Sequence, residues 1–255
     1  MSPKLPSRRA IGLIFLLVAG RLATASETNR VFYLRAAVAF HRAEKDFPNP
    51  TNFPAAAVEL ARTSFDLADL ATNETQRAEI SQRGIAVCRD WLAREPKAAA
   101  AHYYLAMHLG ELAQAEAPSL AAYKLVHEVE REFKVATELD VRFDHAGPAR
   151  NLGELYFQAP GWPLSVGSKR KALEWLERAA QLAPEYPENL LNLAEAHLQW
   201  RQKEAAAKIL RLLATNWPAA LTNLTGVAHE RDWRDWSARR AADLAEFQKH
   251  FKSPP

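Results

Sequence analysis

Cysteine is nearly absent from this 255-residue chain, with Cys88 the sole example. That excludes an intramolecular disulfide framework and a thiolate zinc module. Glycine is scarce as well, at 9 residues against 15 prolines, so collagen-like and Gly/Ser-rich polymers are excluded. A bias of charge is also missing. Residues 1–25 hold four basic side chains (Lys4, Arg8, Arg9, Arg21) and no acidic one, and the remaining 29 basic residues face 30 acidic ones, a net charge of −1. Such a balance offers no electrostatic basis for binding nucleic acid or an anionic membrane surface. The familiar hydrolase signatures are missing too: there is no His-Glu-x-x-His and no Gly-x-Ser-x-Gly. Gly161 to Gly167-Ser168-Lys169 is one residue too long for a phosphate loop, and its Ser precedes the Lys. What is present is apolar residues at 48%, enough for a substantial core.

The N-terminal residues have the layout of a secretory signal. Lys4, Arg8 and Arg9 precede an 11-residue apolar run at 10–20, followed by the small-x-small triplet Ala23-Thr24-Ala25. A spanning helix needs about 20 apolar residues, so this run is short for an anchor. The expectation is a signal peptide over 1–25 and an exported chain, with an uncleaved anchor as the alternative. No Cys lies near the cleavage signal to carry a lipid. Outside the cytoplasm, the lone Cys88 is expected to be a buried small apolar residue.

The rest is rich in Ala, Leu, Glu, Arg and Lys, good helix formers, with apolar residues at three- and four-residue spacing and no sustained alternation. The pattern predicts helices near 28–45, 54–71, 75–94, 97–114, 122–140, 148–157, 168–182, 187–200, 202–215 and 231–251. Ala172, Leu176, Ala179 and Pro184 are spaced by 4, 3 and 5, and Ala206, Leu210, Leu213 and Pro218 repeat that spacing 34 residues later. Leu193-Ala194 and His197 lie between them. Leu152-Gly153 and Tyr156 match the first helix of the preceding unit. Leu105-Ala106 and Leu109, with Val129, Phe133, Ala136 and Val141, match the one before. Gly84, Cys88 and Trp91 fall in second-helix slots, Trp91 standing where a small residue is usual.

This pattern resembles the tetratricopeptide repeat (TPR), which implies an all-α, right-handed α-solenoid of antiparallel helix pairs. The TPR-like region covers 75–218, with inserts near 111–121 and 158–167. Residues 26–74 are atypical N-terminal helices, and 219–255 carry an amphipathic C-terminal capping helix with Trp233, Trp236, Leu244, Phe247 and Phe251. Within the repeats, Gly147-Pro148-Ala149-Arg150-Asn151-Leu152-Gly153 and Ala159-Pro160-Gly161-Trp162-Pro163-Leu164 form a less generic stretch. So do Pro187-Glu188-Asn189 and Leu193-Ala194-Glu195. Together they resemble the periplasmic T component of TRAP (tripartite ATP-independent periplasmic) transporters. That resemblance implies a solute-binding protein as partner and a hydrophobic ligand in the helical groove. The missing lipid anchor departs from it.

A repeat array offers a concave face lined by the first helix of each pair. The lining slots hold Tyr103 and Met107 around Leu105, Arg150, Glu154 and Phe157 around Leu152, and Leu191, Glu195 and Leu198 around Leu193. Such a surface suits a protein or peptide partner; the alternatives are a hydrophobic or carboxylate small molecule, or a role in envelope assembly. Arg150 either forks a ligand carboxylate or pairs with Glu154, four residues on. In the insert, Trp162 is either a plug over the helix-pair core, the expected reading, or an exposed partner anchor. Asp144 is placed to assist the helix that starts at Pro148. His108 and Glu111 share a helix face but make only two metal ligands, so ordinary helix residues are expected. The chain is expected to be a scaffold rather than an enzyme, with no cofactor and no metal.

Overall fold

The computed structural model describes residues 27–47, 53–117 and 119–251. The signal-peptide expectation for 1–25 lies outside them, as does Pro118. Every regular element among the described residues is helical: α1 (Glu27–Asp46), α2 (Phe53–Asp69), α3 (Glu74–Arg94), α4 (Ala99–Ala115), α5 (Leu120–Leu139), α6 (Phe143–Gln158), α7 (Lys169–Leu182), α8 (Pro187–Gln199), α9 (Lys203–Asn223) and α10 (Glu230–Phe251), with a 3₁₀ turn at Val227–His229. None of these helices is long and apolar enough to cross a membrane. Consecutive helices joined by short turns pack on each other, the mark of helix pairs.

The chain forms two compact units, one of residues up to 136 together with 158–166, the other of 137–157 and the residues from 167 on. In the first, Phe40, Leu60, Leu67 and Ile80 form one apolar cluster and Ala57, Trp91 and Ala101 another. Trp91 occupies a slot meant for a small side chain because its neighbours Ala57 and Ala101 leave the room. His102 ties α4 to α5 and to the preceding turn through Glu132 (2.6 Å) and the Pro96 carbonyl (3.0 Å). The insert at 111–121 extends the helices on either side of it: α5 runs for 20 residues. In the second unit the core is built on Leu176, Leu190, Leu193, Leu210 and Leu213, sealed by Trp236 and Phe247 of α10. α10 packs on both α8 and α9.

Helix ends follow local chemistry. Asn73 caps α3 by accepting from the Gln76 amide at 2.9 Å, and Gln76 in turn accepts from the Thr72 amide. Ser168 caps α7 through the Lys171 amide. Pro187 starts α8, where a missing amide hydrogen is harmless. One expected stop did not hold. The helix predicted to end near 215 continues through Pro218 to Asn223. An internal proline removes one hydrogen bond and costs about 3 kcal/mol. Here Ala220 and Leu224, beyond the proline, are buried in the core, and Trp217 meets Trp233 edge-on at 5.2 Å, which offsets the loss.

Two glycines set how closely the helices approach. A Cβ on Gly84 of α3 would lie 2.2 Å from the His108 ring of α4. On Gly153 of α6 it would lie 2.6 Å from the Leu176 side chain and 3.0 Å from the Leu176 backbone nitrogen of α7. Helix propensity alone would make alanine better than glycine by about 1 kcal/mol. We expect the opposite for Gly153→Ala. Because Leu176 must leave its place at its Cγ, the change should lower stability by about 1–3 kcal/mol, a melting shift of about 2–12 °C by calorimetry.

Candidate partner-binding site

Of the eight predicted groove residues, Tyr103 and Met107 belong to the first unit and the other six to the second. Tyr103 is buried against Phe133 and Tyr104, and Met107 is half-buried. Leu191 and Leu198 are buried in the core of the second unit. Phe157 is half-buried and meets the Trp200 ring at 5.3 Å. Glu195 is gripped by Arg239 of α10 through two hydrogen bonds, at 2.7 and 3.0 Å. The first-helix face of α8 is therefore largely taken up by α10.

Arg150 is only 4% exposed and turns into the fold instead of out toward a ligand. Its guanidinium donates to the Asp144 carboxylate at 2.9 Å, to the Asp144 and His145 carbonyls at 3.3 Å, and to Asn189 Oδ1 at 3.2 Å. Glu188 lies 3.8 Å from its Nε, and the Tyr186 ring centroid 5.0 Å from its Cζ. The reason is directional. Helical side chains lean toward the N-terminus, so Arg150 reaches back to the turn at the start of α6.

That turn is unusual. Asp144, His145 and Ala146 take positive φ of 49°, 52° and 64° in succession. Each non-glycine residue in this region costs roughly 1–2 kcal/mol. Arg150 offsets the strain from one side. From the other, Asn189 donates to the His145 and Ala183 carbonyls, both at 2.9 Å, and the His145 ring stacks on Tyr186 at 4.5 Å. The Asp144 carboxylate thus serves Arg150. Sequence reasoning passed over Asn189 and Tyr186, although Asn189 stood in the Pro187-Glu188-Asn189 stretch.

Further along α8 and α10, Arg239 gathers Glu195, Asn192, Glu188 and Asp235. Burial works against its charge, but Glu195, Glu188 and Glu154 more than offset this, so its pKa is raised. Asp243, one turn on, is 6% exposed, and its Oδ2 has no hydrogen-bond partner among the described residues. Burial, reinforced by Glu195, pushes its carboxyl up to about 8, so near neutrality it holds a proton.

In the first unit His108 and Glu111 diverge. His108 Nε2 meets the Ala61 carbonyl at 3.0 Å and Ser64 Oγ at 3.1 Å, deep in the core, while Glu111 accepts from Arg77 at 2.8 Å. Burial lowers the His108 pKa to about 4. Cys88 is buried and its thiol is pushed up to about 12, so it is inert. Among the described residues no group of three or more His, Cys, Asp or Glu is placed to hold a metal.

The exposed feature is the insert. Trp162 is 89% exposed and Leu164 67%, so the expected plug is overturned. The Leu164 and Ser165 amides both turn back to the Gly161 carbonyl, which holds the indole out on a tight turn. Pro160 and Pro163 stiffen the same turn.

No protein-family profile and no curated protein matches the chain. Among solved structures it is similar to a thermophilic TPR protein of Thermus thermophilus, with a TM-score of 0.61 over 93% of this chain and 98% of that one. The fold is TPR-like. At 18% identity the likeness speaks for the fold alone.

Asp243 yields a pH test. The folded chain keeps its proton to about pH 8, whereas unfolding returns the carboxyl to its ordinary value of 3.8. Unfolding therefore releases a proton between these values, and this contribution to stability, full below pH 4, fades as pH rises to 8. Asp243→Asn should flatten that dependence, melting above the wild type by a margin that grows from about pH 4 to 8 and then levels off, at about 2–4 °C per kcal/mol. In Arg150→Ala, which leaves the left-handed turn and Asn189 without their charge partner, we expect a loss of about 2–4 kcal/mol by denaturant titration.

Proposed function

We propose that this protein is an exported TPR-type scaffold that binds a protein partner through the loop at 158–167. The observation that carries the proposal is Trp162, an indole almost wholly in solvent beside an exposed Leu164. Burying such an aromatic at an interface is among the strongest single contributions a contact makes. The first-helix face of α8 supports the same choice by its occupancy, since α10 leaves little of it for a guest. TPR folds host many functions, so the site and not the fold must argue the role.

The finer reading follows the motif resemblance. The stretches at 147–153 and 159–164 resemble the T component of TRAP transporters, and the run at 10–20 with Ala23-Thr24-Ala25 has the form of an export signal. The partner is then an exported solute-binding protein of an uptake system, and this chain is an accessory component without chemistry of its own. Export and association share one test. The tagged chain is expressed in its own cell envelope, crosslinked and recovered, and the bound proteins are identified by mass spectrometry. We expect an exported solute-binding protein on the wild type, and recovery about tenfold lower or worse on Trp162→Ala. Since the Trp162 side chain lies in solvent, the variant should melt like the wild type. Equal recovery on both would remove the loop from the interface, and recovery of no solute-binding protein would remove the uptake reading.

A further inference from the structure

An even balance of charge over the whole chain is not an even balance at every face. α7 opens on Lys169-Arg170-Lys171 with no acidic residue in its first turn, and α9 opens on Lys203. Helix starts favour acids, because their first amides carry partial positive charge. Four bases at two helix starts therefore work against the helices they begin. Arg201, in the turn between α8 and α9, is out of place for another reason. The Gln202 amide donates to the His197 carbonyl and the Arg201 amide to the Leu198 carbonyl, both at 2.9 Å, which closes α8 in a Schellman turn. That turn holds Arg201 at a φ of 56°, where glycine is the residue favoured.

These bases come together at one end of the second unit. Lys169 Nζ lies 4.9 Å from the centre of the Trp200 ring, which adjoins Arg201. Arg201 donates to His250 Nδ1 at 3.3 Å, and Lys203 Nζ lies 6.0 Å from the centre of the neighbouring Phe251 ring. Among the described residues none of these three bases has a carboxylate partner. Around them Arg170 pairs with Glu174 and Lys249 with Glu246, each pair on the surface. With Lys171 included, six bases stand against the three acids Glu174, Glu204 and Glu246. Local stability accounts for none of the three unpaired ones, so their use lies outside the fold.

The chemistry selects an anion. A lysine presents a compact point charge, which meets a phosphate oxygen from any direction. Trp200 and Phe251 are half-buried beneath their lysines, so they offer no open platform on which a nucleic-acid base could stack. Half-buried rings flanked by lysines instead suit the headgroup level of a bilayer. We propose that this end of the second unit docks on an anionic bilayer surface, with Lys169, Arg201 and Lys203 meeting the headgroup phosphates of acidic lipids. The contact is peripheral and electrostatic. It goes beyond the partner reading and stands whether or not the Trp162 loop binds a protein.

The test is co-sedimentation of the full chain with vesicles of phosphatidylcholine alone, and of phosphatidylcholine with about 30% phosphatidylglycerol. The wild type should bind the anionic vesicles about tenfold or more tightly, and roughly 0.5 M salt should remove the difference. Lys169→Glu combined with Lys203→Glu should lose that preference yet melt no lower than the wild type, because acids suit both helix starts. Arg201→Gly should bind the anionic vesicles about fivefold more weakly and melt at or above the wild type, because glycine fits the left-handed turn. Arg201→Lys, which keeps the charge, should keep the binding. Every variant carries the same apolar run at 10–20, so differences among variants on one kind of vesicle read the patch. A wild type without preference for anionic vesicles overturns the proposal, as do variants that bind like it. A DNA duplex that holds the wild type as tightly as the anionic vesicles, and is lost in the same variants, overturns the lipid assignment.

Discussion

Helix pairs of this kind exist only if some side chains are missing. Gly153 lies so near the Leu176 side chain that a methyl group has no room, and Gly84 stands in the same relation to the His108 ring. Every other slot of the pattern answers to that spacing. Ala172, Ala179, Ala194 and Ala206 are wholly buried, and the leucines at 176, 190, 193, 210 and 213 fill what the small residues leave open. Where a large residue does enter a small slot, as at Trp91, alanines at 57 and 101 give way. Close approach between backbones is thus the constraint, and burial of the leucines is what it makes available.

Close approach also explains the buried charges. Once the helices of the second unit are this near, Arg150 and Arg239 have nowhere to send their guanidinium groups except to their neighbours. Both find carboxylates and amide oxygens there, Arg150 at Asp144 and Asn189, Arg239 at Glu195 and Asn192. A satisfied buried arginine orients what it touches, and here it keeps three successive residues in left-handed geometry. Two residues expected to greet a partner, Arg150 and Glu195, therefore spend their hydrogen bonds inside the fold.

The helical pattern was legible because it is periodic. Apolar spacing placed the helices to within a few residues at most ends, and small residues at fixed offsets identified the pairs. Ser168 and Pro187 announced their helix starts. What escaped was of two kinds. The run through Pro218 depends on Ala220 and Leu224 finding a core contributed by other helices, a tertiary effect that no local rule contains. The partners of Arg150 lie 39 positions away at Asn189, or behind it on a turn whose strain leaves no mark in residue type. Asp243 and Arg239 sit among ordinary charges on an amphipathic helix, and only packing against α8 separates them from solvated ones. Trp162 escaped for the opposite reason, since a lone loop tryptophan is usually buried and this one is held out.

The two units therefore divide the chemistry unequally. The second spends its buried aromatics and charges internally: Trp217, Trp233 and Trp236 stack edge to face, and α10 lies against the face of α8 that a guest would use. The first holds its polar centres inward at His108 and Glu132 yet leaves large apolar side chains in water, at Val38 on α1 and at Trp162 and Leu164 on the insert. Neither patch has a function in holding the fold together, because neither is covered by it. An indole held out in water on a stiff turn adds nothing to the cores of either unit, and association is the physical process that repays such exposure.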